Sequence, residues 1–146
     1  MDPEIPTVSL VDLGVITSVE LTPEGVARVK MTPTFSGCPA MDYMRDQVRE
    51  RLEAMDFDGV EVEMNLDEAW SSNRLTDEGR AGLEKFGLAP PPKYEGVLEL
   101  DVLSDVPCPN CGSKNTTMRS PFGPTLCRAI HHCRDCGETF EQFKPI

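Results

Sequence analysis

The 146-residue sequence predicts an α/β (α+β) fold in two parts, a small β-β-α-β-α sandwich followed by a C-terminal zinc ribbon. Hydrophobic periodicity predicts the first part, because it changes between the two-residue repeat of strands and the three-to-four-residue repeat of helices. Two C-x-x-C-G pairs predict the second, since a segment of about 40 residues rarely folds on a core of its own. We expect residues 1–95 to form the first domain and residues 96–146 a strand plus the ribbon.

The first two strands are predicted as a β-hairpin over residues 14–31, with a polar turn at residues 22–25. Alternate side chains in both runs are expected to share one face. These residues are Val15, Thr17, Val19, Leu21, Ala27, Val29 and Met31.

From Pro39 onward the apolar period becomes helical. The stripe consists of Met41, Met44, Val48, Leu52 and Met55. Its methionines are interpreted as core residues rather than metal ligands, because the stripe already accounts for them. A half-buried strand with an acidic outer face is then predicted from Val60, Val62, Met64 and Leu66.

A second helix is predicted to begin after Thr76, whose side chain can cap it, and to stop at Gly87. Asp77 and Glu78 in the first turn complement the helix dipole. Residues 89–92, Ala-Pro-Pro-Pro, are expected to form a stiff connector. One further strand is expected from Leu98, Leu100 and Val102.

The C-x-x-C-G pairs are Cys108 with Cys111 and Cys133 with Cys136. Two residues between cysteines let both sulfurs face one cation, and four thiolates suit a tetrahedral thiophilic metal, which predicts one structural zinc. The intervening 21 residues slightly exceed the usual ribbon spacing but suffice for a hairpin. The alternative of two disulfides needs an oxidising compartment.

Three residues between the pairs offer other ligand sets: Cys127, His131 and His132. One of them could replace a cysteine of the two C-x-x-C-G pairs, here called knuckles, although the symmetric pairs are the preferred set. The alternative for Cys127 is a small core residue. Adjacent histidines point to different sides of a strand and are not expected to share a metal.

The N-terminus has neither the basic start nor the apolar run of a signal peptide, and no stretch has the length and hydrophobicity of a membrane span. We therefore expect a cytoplasmic protein with reduced thiols. Residues 1–106 contain nine basic and 22 acidic residues, a net charge of −13, whereas the remainder carries +2. Such an acidic domain repels phosphates, so nucleic acid is not an expected partner.

Cys38 stands apart from the ribbon, immediately before Pro39. Because proline favours the first position of a helix, Cys38 is expected at or next to the N-cap, where free amides favour a thiolate. Asp42 in the first turn would oppose this shift. On this chemistry alone, a functional thiol and an inert buried cysteine are equal alternatives. A functional thiol could be a nucleophile, a transient metal ligand or a cluster-transfer ligand.

Several enzyme signatures are missing, and no catalytic residue is predicted. The sequence contains no Glu-x-x-His pair for a di-iron centre, no phosphate-binding glycine loop and no G-x-S-x-G motif. The evidence for stand-alone catalysis is therefore thin.

Residues 1–88 resemble the SufT-like family of iron-sulfur assembly factors. The motifs that carry the resemblance are Asp2-Pro-Glu-Ile-Pro6, Val11-Asp12-Leu13-Gly14, Thr32-Pro-Thr34, Gly37-Cys38-Pro39 and Ala69-Trp70. With the tail motifs Ser120-Pro-Phe-Gly-Pro-Thr125 and Phe140-Glu-Gln-Phe-Lys144 added, the whole chain resembles the D-subunit family of phenylacetate degradation, which is associated with the phenylacetyl-CoA epoxidase.

The resemblance implies a maturation role, with a transient iron-sulfur cluster built for, or delivered to, the reductase component of that monooxygenase. It implies that Cys38 is the functional thiol, and that the partners are epoxidase components and iron-sulfur assembly proteins, with a homodimer left open. Family members carry a helix before the Asp-Pro-Glu-Ile motif. A start codon placed late, or an apolar surface covered by a partner, would account for its absence here.

Two other functions are alternatives. A structural subunit would scaffold the oxygenase and tolerate Cys38→Ser. A rubredoxin-like electron carrier would hold iron in the ribbon and absorb visible light, whereas a zinc protein is colourless.

Overall fold

A computed structural model describes residues 1–94 and 106–145. The N-terminal part has the predicted β-β-α-β-α order. Its elements are β1 (Ile16–Leu21), β2 (Val26–Met31), α1 (Met41–Glu53), β3 (Gly59–Met64) and α2 (Asp77–Phe86), with a short 3₁₀ helix (Ser72–Arg74) before α2. The sheet order is β1-β2-β3, in which β1 and β2 are antiparallel and β2 and β3 are parallel. This confirms the predicted fold of the first part.

The C-terminal part is a second sheet that carries the four knuckle cysteines at one end. Its antiparallel strands are β5 (Thr116–Ser120), β6 (Arg128–Cys133) and β7 (Thr139–Phe143). A two-residue strand, β4 (Leu88–Ala89), follows α2 and pairs in parallel with β7. The sequence interpretation missed β4 and began the stiff connector at Ala89, because a strand of two residues is too short to show an alternation of apolar and polar side chains.

The predicted strand at Leu98, Leu100 and Val102 lies outside the described residues. The predicted domain boundary near residue 95 falls in the same interval and stays a prediction. What the structure does describe is that β4, at the end of the first part, shares a sheet with the ribbon.

The main core is continuous from the N-terminal sheet to the ribbon. Val15, Met31 and Leu83 are fully buried in it, and so is Phe143 of β7. The Phe143 ring meets the Trp70 ring edge-on, with centroids 5.8 Å apart. Trp70 Nε1 donates to the Leu13 carbonyl at 3.1 Å, so the indole is buried with its polar group satisfied.

The predicted apolar faces are correct near the core and wrong at the element ends. Val19 and Leu21 are 66% and 64% exposed, because the β1 register shifts between Ile16 and Ser18 and the far end of the edge strand extends beyond the core. Met55 follows the end of α1 and Leu66 follows the end of β3. Both are exposed, so neither belongs to the buried stripe predicted for it.

The predicted ends of α2 are confirmed. Thr76 Oγ1 accepts a hydrogen bond from the Gly79 amide at 2.9 Å, and Gly87 ends the helix with a φ of 91°. Among the residues that the structure describes, no helix is both long enough and apolar enough to cross a bilayer.

Candidate metal centre and functional thiol

The sulfurs of Cys108, Cys111, Cys133 and Cys136 form one cluster in which all lie within 4.8 Å of one another. The Cys108 and Cys136 sulfurs are 3.8 Å apart, and those of Cys111 and Cys133 are 3.6 Å apart. Four thiolates at about 2.3 Å from a zinc ion in tetrahedral geometry would be about 3.8 Å apart. A disulfide requires about 2.05 Å, so the alternative of two disulfides does not fit this geometry, and all six cysteines are free.

The two knuckles have the same backbone geometry. Gly112 and Gly137 have φ values of 73° and 78°, which glycine adopts without strain. The Gly112 amide donates to the Cys108 carbonyl at 2.8 Å, and the Gly137 amide donates to the Cys133 carbonyl at 3.0 Å. The glycine after each pair therefore turns the chain so that both sulfurs face the same point.

The pKa values of the two exposed thiols of the cluster, Cys136 and Cys111, are shifted in opposite directions. The Glu138 amide is the main cause that lowers the pKa of Cys136, to about 7. At Cys111 the Ser113 amide is the largest single influence and lowers the pKa. Hydrogen bonding to Cys136, desolvation and the sulfurs of Cys133 and Cys108 together outweigh it and raise the pKa to about 12. Four adjacent sulfurs cannot all become thiolates without a positive charge between them. The donor set and its spacing therefore fit one zinc ion, which these four residues would hold.

The three alternative ligands lie outside the four-sulfur cluster. His131 is fully buried, stacks on Phe140 at 5.6 Å, and its Nε2 lies 3.1 Å from Gln142 Oε1. Burial lowers the pKa of His131 and favours its neutral form. His132 is half-buried. The contacts of His131 are those of a side chain packed within the sheet. The geometry therefore supports the predicted ligand set of four cysteines.

The expected position of Cys38 at or next to the N-cap is wrong. Helix α1 begins at Met41 with Ala40 as its N-cap, so Cys38 lies two residues before the N-cap, between two turns. The Cys38 amide donates to the Phe35 carbonyl at 3.0 Å, and its own carbonyl accepts from the Met41 amide at 3.3 Å. Asp42 is in the first turn as predicted, where it pairs with Arg45 at 3.0 Å.

Cys38 is half-buried and lines an open cavity of about 230 Å³ between the N-terminal part and the ribbon. The ribbon contributes Leu126 and Cys127 to the cavity, and the N-terminal part contributes Glu4 and Phe35. Burial raises the pKa of the Cys38 thiol more than the nearby Ala40 amide lowers it, and Cys127, Glu4 and Asp2 raise it further. Sequence reasoning named Cys127 only as a ribbon residue. No local spacing connects it to a cysteine 89 positions earlier.

Two of the motifs shared with the assembly-factor family, those that contain Asp2 and Asp12, hold the fold together through hydrogen bonds. Asp2 Oδ1 accepts from the amides of Glu4 and Ile5, both at 2.8 Å, which folds the N-terminus beside the cavity. Asp12 Oδ1 accepts from Thr76 Oγ1 at 2.9 Å and so ties the second motif to the start of α2. These residues hold the site in place without contributing a reactive group.

The fold and the four-sulfur centre define an iron-sulfur assembly domain that carries a zinc ribbon. Residues 1–64 match the family model described as "Iron-sulfur cluster assembly protein", and residues 96–144 match the "PaaD zinc beta ribbon domain". The chain is 38% identical over 145 residues to an Escherichia coli (strain K12) protein named as the D subunit of 1,2-phenylacetyl-CoA epoxidase, covering 99% of this chain and 86% of that protein. The chain therefore belongs to the family of this epoxidase component.

Two further similarities concern the N-terminal part. An Fe-S protein maturation auxiliary factor of Porphyromonas gingivalis (strain ATCC BAA-308 / W83) is 35% identical over 78 residues, which are 53% of this chain and 73% of that protein. The crystal structure of a DUF59 domain from Bacillus anthracis superposes with a TM-score of 0.52 at 26% identity. It covers 57% of this chain and 79% of the other.

Proposed function

We propose that this protein is an accessory maturation factor of a phenylacetyl-CoA epoxidase system. It assembles or delivers an iron-sulfur cluster to the reductase component, and Cys38 is the working thiol. The proposal is supported by similarity to an epoxidase component over nearly the whole chain, together with the match of the N-terminal part to cluster-assembly proteins. In this proposal the cluster is cargo, and the protein oxidises no substrate itself.

One observation carries the proposal: Cys38 lines an open cavity and lies outside the four-sulfur cluster of the ribbon. A ribbon thiolate bound to zinc has no free coordination capacity, whereas Cys38 can bind and release a cargo metal. Phe35 and Leu126, 38% and 48% exposed, border the cavity and provide an apolar rim against which a partner can pack.

The ribbon has a structural role in this proposal. Zinc bound by Cys108, Cys111, Cys133 and Cys136 would stabilise the tail, whose described residues form a small core. The expected partners are proteins of the epoxidase and of cluster assembly, because the −13 charge of residues 1–106 disfavours phosphate-rich partners.

The test uses cells that lack the native protein and express wild type, Cys38→Ser, Cys38→Ala or the control Ser36→Ala, which changes an exposed residue two positions away. The client reductase is purified anaerobically, and its iron, sulfide and visible absorption are measured. We expect both Cys38 variants to lower cluster content at least fivefold, with their own zinc content and thermal unfolding unchanged. Ser36→Ala should match wild type.

Normal client loading with both Cys38 variants would refute the maturation role of this thiol. If those variants also remain bound to the epoxidase in stoichiometric amounts, the protein is a scaffold. A coloured, iron-containing ribbon in the anaerobically purified protein would instead indicate an electron carrier.

A further inference from the structure

A second cysteine shares the cavity of Cys38. Cys127 comes from the loop that leads into β6, and both residues line the same space of about 230 Å³. Both are half-buried and free. They lie at the edge of the main core, against which both pack. The docking of the ribbon on the N-terminal part therefore brings two thiols, distant in sequence, to one cavity.

The position of Cys127 is held by both parts of the molecule. Its carbonyl accepts from the Lys144 amide at 2.9 Å, and its sulfur lies 3.2 Å from Thr125 Oγ1. The next residue, Arg128, is buried and pairs with Glu141 of β7 at 3.1 Å and with Glu4 of the N-terminal part at 3.9 Å. These contacts fix the loop that carries Cys127.

Cys127 has no part in the ribbon centre, since the four-sulfur cluster is complete without it. Cys127 also acts on Cys38 electrostatically: it is one of the groups that raise the pKa of Cys38, after burial. Two thiolates in one cavity would repel each other, and a cation between them removes this repulsion.

We propose that Cys38 and Cys127 together form a two-thiolate site for iron cargo, with the remaining coordination positions open. Binding of ferrous iron releases the two S–H protons to solvent, forms two Fe–S bonds and displaces two iron-bound waters, without a change of oxidation state. Glu4, also on the cavity wall, supplies a negative charge near the cation. Because two protein ligands hold iron less tightly than four, the site can pass its cargo to a partner's thiolates.

This inference rests on the proposed function only for the identity of the cargo as iron, and the site itself can be tested independently. The full chain is prepared anaerobically with one zinc per molecule and titrated with Co²⁺, which gives visible bands when bound tetrahedrally by thiolates. Zinc binds such sites more tightly than cobalt, so the ribbon remains loaded. We expect wild type to bind one additional cobalt.

Cys38→Ser and Cys127→Ser should each weaken this cobalt binding at least tenfold and remove the visible bands, while Ser36→Ala retains both. Zinc content and thermal unfolding of each variant establish that it is folded, and Cys127→Ala is the second variant should Cys127→Ser lose zinc. A Cys127 variant that binds cobalt as wild type does would overturn the two-thiol site. So would a wild type that binds no second metal.

A second titration uses the cargo metal itself, as ferrous iron with and without sulfide. Binding of iron alone identifies a ferrous site, and binding only with sulfide identifies a cluster site; either supports the proposal when both cysteines are required. If the protein binds iron neither alone nor with sulfide, the proposed two-thiolate site is overturned.

Client loading in cells separates the two proposals. If Cys38→Ser lowers client loading while Cys127→Ser lowers neither client loading nor cobalt binding, the maturation role stands and the two-thiol site fails. If cobalt binding needs both cysteines but client loading needs neither, the site stands and the maturation role fails.

Discussion

The Cys38 thiol lies in surroundings that favour its protonated form. Burial is the largest cause that raises its pKa, and Cys127, Glu4 and Asp2 add to the effect. A thiol of this kind is a poor nucleophile at neutral pH, yet it becomes a thiolate when a metal displaces its proton. The surroundings of Cys38 therefore suit a metal ligand better than a covalent catalyst.

The raised pKa of Cys38 predicts that its reactivity with alkylating agents depends on pH differently from that of a free cysteine. Because burial and nearby anions disfavour the thiolate, alkylation of Cys38 by iodoacetamide should begin to accelerate at higher pH than that of a free cysteine. Glu4→Gln removes one negative charge and should move the profile toward lower pH. Site-resolved mass spectrometry of zinc-loaded protein measures the rate at each pH.

The control is Glu53→Gln at the exposed end of α1, a carboxylate that does not act on the Cys38 pKa. It should leave the profile unchanged. A wild-type profile at or below that of free cysteine would contradict the electrostatic account of the cavity.

Helix α2 is fixed by the close approach of its glycines to the N-terminal loop. A Cβ on Gly82 would lie 2.6 Å from the Thr7 carbonyl oxygen, and one on Gly79 would lie 2.5 Å from the Asp12 carbonyl oxygen. The Thr7 hydroxyl also donates to the Gly82 carbonyl at 2.7 Å. The loop therefore contacts the bare backbone of the helix, and backbone atoms cannot move aside as a flexible side chain could.

This contact predicts that Gly82→Ala destabilises the protein, although alanine is the better helix former. We expect a loss of about 1–3 kcal/mol in the free energy of unfolding, which overpacking typically costs. Ala81→Gly, at the neighbouring exposed position, should cost about 0.5–1 kcal/mol through helix propensity alone. Urea titration followed by circular dichroism compares them, and a stabilised Gly82→Ala would show that the helix can shift.

At the scale of elements, sequence predicts what is local. Thr76 and Gly87 bound α2 correctly because capping depends on nearby backbone groups. Likewise, the knuckles are readable because each cysteine pair and its glycine lie within five residues. In contrast, β4 has two residues and depends on β7 for its hydrogen bonds, and Cys127 reaches the Cys38 cavity only through tertiary docking. The prediction that Val19 and Leu21 belong to the apolar face was wrong for a related reason: alternation of apolar and polar residues does not show where the core ends.

At the scale of the whole molecule, the contacts between the ribbon and the N-terminal part include three kinds among the described residues. Strand β4 pairs with β7, Phe143 packs against Trp70, and Arg128 lies 3.9 Å from Glu4. The cavity that holds Cys38 and Cys127 is bordered by both parts, so it depends on this docking. A zinc ion in the ribbon would thus support the Cys38 site without touching it, since it would stabilise strand β6, which Cys127 immediately precedes.

This arrangement predicts that zinc removal changes the surroundings of Trp70, the single tryptophan of the chain. A chelator, or Cys136→Ser, should unfold the ribbon strands and remove Phe143 from the indole, while the β1-β2-β3 sheet and both helices retain most of their structure. We expect a red shift of tryptophan emission with only a partial loss of far-ultraviolet circular dichroism.

Phe143→Ala separates the metal from the docking contact. It leaves the four cysteines intact, so zinc content should stay at one per chain, but loss of a fully buried aromatic ring should cost about 3–5 kcal/mol and expose Trp70 to a similar degree. If chelation removes the zinc and tryptophan emission does not change, the tail remains docked without metal and zinc does not support the Cys38 cavity. A red shift in both the chelated wild type and Phe143→Ala, with zinc retained only in the variant, would establish that the metal acts on the cavity through the docked ribbon.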